Sequence, residues 1–464
     1  MSVLARILLP EIFGLVAMVT ALTGFIEMFK DLGLSAATIQ RKEITHAQVS
    51  ALFWINTCVG IGICLLISAS SFLIARFYGD PRLVHITIAL SIGFIFGGMT
   101  VQHQALLRRQ LRFGTIAWVQ VVSTLMGILV AVGMALKGYG YWALVAREVI
   151  RNVFLAAGTI LMSRWIPGLP AWGTSVRSLL RFGGDITGYN IVWYASRSID
   201  QILIGKYAGA ATLGLYRQSA QLMDLPINQL KYPVLYVGEP ALSSLQNDRS
   251  RYRAYYAKLV SVLAFASMPL VVYLWVYAEP IIRILLGDKW IGSVVFFKIL
   301  ALPAFIQPVL ATTGAVMITS GQSRRYFYLG LANALTLVLA LGTGIRWGAT
   351  GVVIAYTIHT YALLIPTIFY SFRGTHVDFR LFLDSIRLPI VSSFFMGVLL
   401  TIFLSMMSDM NLLLNASLSL LVAGGAYLGF WAAWPGARPL LKEYLTYPSA
   451  FLKGGDAGTS DHGR

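Results

Sequence analysis

Thirteen apolar runs, most of them about 20 residues long, follow one another at roughly 10–29, 48–76, 83–106, 113–136, 140–162, 179–206, 210–235, 258–279, 291–319, 325–345, 349–371, 386–407 and 411–433. Only an α-helix or a closed β-barrel can cross hydrocarbon with its backbone hydrogen bonds satisfied, and these runs are far too long for barrel strands. The chain therefore reads as an all-α polytopic membrane protein with about 13 spans. Its mean hydropathy of +0.72 and its 12% charged residues fit that class. The net charge of +17 would suggest a nucleic-acid partner in a soluble protein. Here most of the basic residues fall in short loops, which makes them a topology signal, and no nucleic acid is expected.

Taken alternately, one set of loops and the tail holds 22 of the 36 Lys and Arg residues, the other set holds 8, and six lie within spans. The positive-inside rule makes the richer set cytoplasmic. The C-terminus is then inside and the N-terminus outside. Cys58 and Cys64 share one apolar span and imply neither a disulfide framework nor a metal site. No P-loop or nucleotide fingerprint occurs, so no cofactor and no ATP hydrolysis are expected.

An internal repeat is visible. Leu4–Leu15 aligns with Ile204–Leu215 at an offset of 200, bringing Phe13-Gly14-Leu15 onto Leu213-Gly214-Leu215 and Arg6 onto Lys206. Gly79-Asp80 recurs as Gly287-Asp288, and Gly140 as Gly351. Two pseudo-repeated helical lobes around a central cavity follow from a parallel repeat of this kind. The expected division is a first lobe at 1–163, an interfacial linker at 164–178, a second lobe at 179–372, two extra C-terminal helices at 373–433 and a cytoplasmic tail at 434–464. The segment 373–386 also reads as interfacial. The helix 179–206 precedes the second copy of the repeated element, and no counterpart precedes the first, so the first helix of the first lobe is expected to be missing from this sequence.

The stretch Leu179–Pro240 carries the most chemistry. Two apolar helices joined by a turn at Gly205–Thr212 hold Asp185, Arg197, Asp200, Arg217 and Asp224. An ionisable group at membrane depth costs roughly 3 kcal/mol, so such groups face a bundle interior or a watery cavity. Arg197 and Asp200, three residues apart, share a face and could form a structural ion pair or serve a substrate. His103 and His359, lone histidines on apolar spans, read as interhelical hydrogen-bonding groups rather than a proton relay.

The chain resembles the bacterial polysaccharide-repeat flippases, within the multidrug/oligosaccharidyl-lipid/polysaccharide exporter superfamily, and looks most like the colanic-acid exporter type. The likeness rests on Phe13-Gly-Leu with Asp31-Leu-Gly-Leu-Ser-Ala-Ala-Thr-Ile-Gln-Arg-Lys42, on Arg181-Phe-Gly-Gly, on Arg197-Ser-Ile-Asp-Gln-Ile-Leu-Ile-Gly-Lys206, on Leu213-Gly-Leu-Tyr-Arg217 with Pro226, and on Glu239-Pro-Ala-Leu-Ser-Ser-Leu-Gln-Asn-Asp248 with Arg251-Tyr-Arg253. It departs from the family in the missing first helix and at Glu239, where an apolar residue is usual.

The resemblance implies flipping of an undecaprenyl-pyrophosphate-linked oligosaccharide across the bacterial inner membrane by alternating access, in exopolysaccharide, capsule or O-antigen biosynthesis. It also implies possible coupling to a proton or sodium gradient, and partners in the polymerase and chain-length machinery. Such a carrier needs cationic surface for the pyrophosphate. Arg147, Arg151, Arg197, Arg217 and Lys298 fall in the outer halves of four spans and are the candidates for a common cationic chamber. Arg147 and Arg151 could instead pair with Glu148 or with another helix's carboxylate, and Lys298 could snorkel to headgroups. The carboxylates for ion coupling or charge pairing are Asp185, Asp200, Asp224 and Glu27. Tyr189, Asn190, Tyr194 and Gln221 are candidates for sugar contact, although membrane-interface belts use the same residue types. No catalytic residue is expected. The alternatives are a lipid II flippase or small-molecule antiporter of the same superfamily, or a membrane repeat-unit polymerase or other glycosyltransferase. The short outside loops leave the last reading without a catalytic platform.

Overall fold

A computed structural model describes residues 2–27, 31, 33–41, 43–169, 174–407 and 410–444, apart from the side chains of residues 25, 27, 37 and 174–197. The described residues form helices and contain no strand. In order they are α1 (Ser2–Ile7), α2 (Pro10–Glu27), α3 (Leu34–Gln40), α4 (His46–Tyr78), α5 (Arg82–Arg109), α6 (Phe113–Leu136), α7 (Tyr141–Ser163), α8 (Thr174–Ser244), α9 (Arg249–Val276), α10 (Ala278–Leu285), α11 (Ser293–Leu310), α12 (Thr312–Thr319), α13 (Ser323–Gly344), α14 (Gly348–Ala362), α15 (Leu364–Phe372), α16 (Phe379–Met406) and α17 (Leu412–Ala433). Among the described residues, eight helices are long and apolar enough to cross a membrane. Each of the thirteen apolar runs coincides with a helix, or with one part of α8, or with a consecutive helix pair.

Three boundaries differ from the sequence reading, each for a local reason. The turn placed at Gly205–Thr212 contracts to one residue, Gly209, whose φ of +80° breaks α8. That backbone conformation is open to glycine and costly for other residues. The second arm of α8 then runs on past Pro226, Pro233 and Pro240 to Ser244. At 373–386 the chain becomes helical from Phe379, because the Asp378 side chain caps α16 by accepting from the Leu381 N–H at 2.9 Å.

Contacts divide the chain into two compact units. The first comprises Met1–Gln218, Leu286–Gly292 and Gly330–Tyr356. Within it α4 packs along α5, and α7 packs against α5, α6 and α2. A capping box at Thr45 and Gln48 starts α4. A buried polar chain runs through the packing. The Thr38 hydroxyl donates to Gln102 at 2.8 Å, the Gln102 amide donates to Asn56 at 3.0 Å, and the Asn56 amide donates to the Asp31 carbonyl at 3.3 Å. His103 bonds the Ser163 hydroxyl at 2.8 Å, the interhelical role anticipated for it.

The internal repeat has a direct structural counterpart in this unit. A Cβ placed on Gly14 would lie 1.7 Å from the Ala210 carbonyl oxygen, and one placed on Gly214 would lie 1.9 Å from the Pro10 carbonyl oxygen. Pro10 and Ala210, like Gly14 and Gly214, are 200 residues apart. Repeat-equivalent positions of α2 and α8 therefore meet reciprocally, backbone against backbone, as at a two-fold contact.

The second unit comprises Ser219–Leu285, Ser293–Leu329 and Thr357–Arg464. Its core is built on α9, which packs against α11 and α16. Tyr252 and Tyr256 are fully buried, and their hydroxyls meet Thr319 at 2.7 Å and Thr312 at 3.0 Å. Burial of such hydroxyls requires these partners. A second apolar cluster joins α9, α16 and α17 through Met396, Leu400, Tyr427 and Trp431.

Candidate functional site

A cluster of three charged side chains lies on α7 of the first unit, a 23-residue helix outside the eight counted as long and apolar enough to cross a membrane. Arg151 follows Arg147 by four residues and Glu148 by three, so it shares a face with each of them. Arg147 Nε donates to Glu148 Oε1 at 3.1 Å and its Nη2 bonds the same oxygen, while Arg151 donates from Nε to Oε2 at 3.1 Å. Side-chain exposure is 17% for Arg147, 22% for Glu148 and 40% for Arg151. The packing beneath them is tight. A Cβ on Gly127 of α6 would stand 2.7 Å from the Arg147 carbonyl oxygen, so a glycine there lets α6 lie directly against this turn of α7. One carboxylate shared by two guanidiniums leaves a formal charge of +1. The sequence left lining and pairing as alternatives for these arginines. The geometry has both of them paired with Glu148, with Arg151 the more exposed.

Arg217 lies on the second arm of α8, one turn beyond the Gly14–Gly214 crossing. Its Nη1 donates to the Thr20 hydroxyl of α2 at 2.7 Å, and that hydroxyl donates in turn to the Val16 carbonyl at 3.0 Å. Asp200 accepts from the Tyr216 hydroxyl across the hairpin at Gly209. Neither Thr20 nor Tyr216 stood out in the sequence, because each is a single polar group in an apolar run that belongs equally to an interface belt. In the second unit Asp224 is exposed and Gln221 is half-buried. Lys298 is exposed, with its ammonium 5.6 Å from the centre of the Trp275 ring. The side chains of Glu27, Asp185, Tyr189, Asn190, Tyr194 and Arg197 lie outside the described residues, and the Arg197–Asp200 pairing with them. Among the described residues no group of three or more His, Cys, Asp or Glu side chains could hold a metal ion.

A second charged cluster holds the helix ends read as outside. Arg82 bridges Glu11 at 2.6 Å and Asp80 at 2.7 Å. The Arg82 guanidinium holds the Asp80 carboxyl below the usual carboxylate range. The sequence reading counted Arg82 only as a loop charge.

The described residues thus form a helical chain with eight helices long and apolar enough to cross a membrane and an Arg–Glu–Arg cluster on α7. The model of the polysaccharide biosynthesis protein family matches residues 3–295, and the chain belongs to that family. It is similar to the lipopolysaccharide biosynthesis protein WzxC of Escherichia coli (strain K12), with 24% identity over 421 residues, 86% of this chain and 84% of that protein. It is similar also to the teichuronic acid biosynthesis protein TuaB of Bacillus subtilis (strain 168), with 26% identity across 70% of this chain and 68% of that one. A third relative is the succinoglycan biosynthesis transport protein ExoT of Rhizobium meliloti (strain 1021), with 26% identity across 74% of this chain and 69% of that one. The fold matches that of the lipid II flippase MurJ in its inward closed conformation, with a TM-score of 0.74, 14% identity, and 92% of this chain and 94% of that chain covered. An inward-facing multidrug transporter of the MATE family matches with a TM-score of 0.61 and 14% identity, across 80% of this chain and 92% of that one.

Proposed function

We propose that this protein moves a polyprenyl-pyrophosphate-linked oligosaccharide repeat unit from the inner to the outer leaflet of the bacterial cytoplasmic membrane, by alternating access, to supply an extracellular polysaccharide. The observation that carries this reading is the Arg147–Glu148–Arg151 cluster. It sets two guanidiniums on one helix of a chain from a polysaccharide biosynthesis family, with a fold that matches a lipid II flippase. A diphosphate crossing hydrocarbon needs cationic partners, and guanidinium forks match its oxygens. Sharing Glu148 lowers the cost of keeping two arginines away from bulk water. Arg217, anchored by Thr20, would add a second cation.

No covalent step is required of the protein. Two lobes working about a central cavity, the lobe division at 1–163 and 179–372, energy from a proton or sodium gradient, and hand-over to a polymerase and chain-length machinery all belong to the same reading. The test is export in a complemented deletion strain. Arg147→Ala and Arg151→Ala should each reduce polymer export at least tenfold at unchanged membrane abundance, while Arg147→Lys should retain part of it. Normal export by both alanine variants would refute the assignment of the cluster to the substrate.

A further inference from the structure

A cavity of about 400 Å³ opens at the other end of the first unit, lined by His46, Arg109, Gln110 and Trp165 with Ile44, Val49 and Leu106. It lies where two spans meet the membrane boundary. α4 begins at His46, and α5 ends at Arg109. The loop charges place this boundary on the cytoplasmic side.

The walls are built, not incidental. Arg109 Nη1 donates to the carbonyls of Thr38 and Arg41, each at 2.7 Å, which fixes its position between α3 and α5. His46 bonds the Ile166 carbonyl at 3.1 Å, the Trp54 indole donates to the Gly168 carbonyl at 2.9 Å, and the Gly168 N–H donates to the Ser50 hydroxyl at 2.9 Å. These bonds strap 166–168 along the first turns of α4 and hold Trp165 against His46 and His103, with ring centres 5.7 and 5.1 Å apart.

The lining is mixed in chemistry. It offers a guanidinium, an imidazole and an amide together with aliphatic carbon and an indole. A small soluble anion has no use for the apolar groups, and a neutral headgroup has no use for the cation. Arg108, Arg112 and Arg164 flank the lining residues in sequence and are exposed, or at a helix end, in the same unit. Aromatic side chains at the membrane interface and clusters of basic residues beside it are the features by which proteins hold anionic lipid. We propose that this cavity is a binding site for the phosphodiester headgroup of an anionic glycerophospholipid of the adjacent leaflet, separate from the charge cluster on α7.

Gln110 is exposed at the end of α5 and so reports on the site without disturbing the core. The experiment titrates purified, delipidated full-length protein with phosphatidylglycerol and with phosphatidylcholine, reading retained lipid by native mass spectrometry. Phosphatidylglycerol should bind at least fivefold more tightly. Gln110→Glu should lower its affinity about fivefold and Gln110→Arg should raise it by a similar factor, with phosphatidylcholine unaffected and melting temperatures unchanged, since one charge at such a surface is worth on the order of fivefold. Equal binding of the two lipids, or phosphatidylglycerol binding that ignores the sign of the charge at position 110, overturns the proposal. Two further arms name the other sources of the same chemistry. Competition by inorganic pyrophosphate at concentrations equal to the lipid, or tighter Gln110-dependent retention of polyprenyl pyrophosphate than of phosphatidylglycerol, also overturns the assignment to phospholipid.

Discussion

Glu148 illustrates how a single side chain decides whether a charged helix can sit in a membrane. It accepts from Arg147 and Arg151 together. Removing one partner of a buried pair costs more than the pair contributes, because an uncompensated charge is left behind. Glu148→Gln should therefore destabilise the protein by roughly 1–3 kcal/mol, less than a fully buried pair would lose because Arg151 is 40% exposed. A lowered melting temperature in detergent, only partly restored by the further change Arg151→Gln because the more buried Arg147 stays without Glu148, checks this. Asp80 makes a second prediction. Its carboxyl is depressed in the folded protein by the hydrogen bond from Arg82. A depressed carboxyl stabilises above its unfolded value of about 3.9, and that stability is lost as pH falls through the lower folded value. Melting temperature followed from pH 7 downward should therefore hold to about pH 4 and then fall, and Asp80→Asn should flatten that fall.

At the scale of elements, the crossing of α2 and α8 is the feature to test. Backbone meets backbone at Gly14 and Gly214, and any Cβ must push the two helices apart. Gly14→Ala and Gly214→Ala should each cost roughly 1–3 kcal/mol, the usual range for overpacking. The double variant should cost clearly less than the sum, since one separation relieves both clashes. Full additivity in a thermal-unfolding cycle would show that the two glycines do not share one contact. This crossing was partly legible beforehand. The 200-residue offset aligned Phe13-Gly14-Leu15 with Leu213-Gly214-Leu215, but an alignment says only that two positions are equivalent, not that they touch. The spans were legible for a plainer reason, since an apolar run of 20 residues has few other fates. The break at Gly209 was blurred into an eight-residue turn because Gly205 and Gly209 look alike without their φ angles. Among the charges, the spacing of Arg147 and Arg151 put them on one face, and pairing with Glu148 was one of two alternatives the sequence left open. The partners of Arg217 and Asp200 did not show, because a lone threonine or tyrosine in an apolar run carries no signal of what faces it. The cavity beside Trp165 was hidden for another reason. Its arginine counted as one more loop charge, and its walls come from three separate segments, at 44–49, 106–110 and 165.

For the whole molecule, the proposed function is that a lipid-linked repeat unit crosses the bilayer through this protein. The chain belongs to a polysaccharide biosynthesis family and its fold matches that of a lipid II flippase; in the proposed function the Arg147–Glu148–Arg151 cluster on α7 would meet the diphosphate. The most direct measurement is made on a strain deleted for this protein. Its lipids are extracted, the polyprenyl-pyrophosphate-linked repeat units are quantified, and their leaflet is assigned by treating intact spheroplasts with a membrane-impermeant reagent that oxidises sugars. The account predicts that complete repeat units accumulate protected from the reagent, and that restoring the wild-type chain, but not Arg147→Ala, clears them and restores polymer. Repeat units that reach the outer leaflet without this protein, or unchanged repeat-unit levels with altered polymer length, would contradict it and point to a role in polymerisation instead.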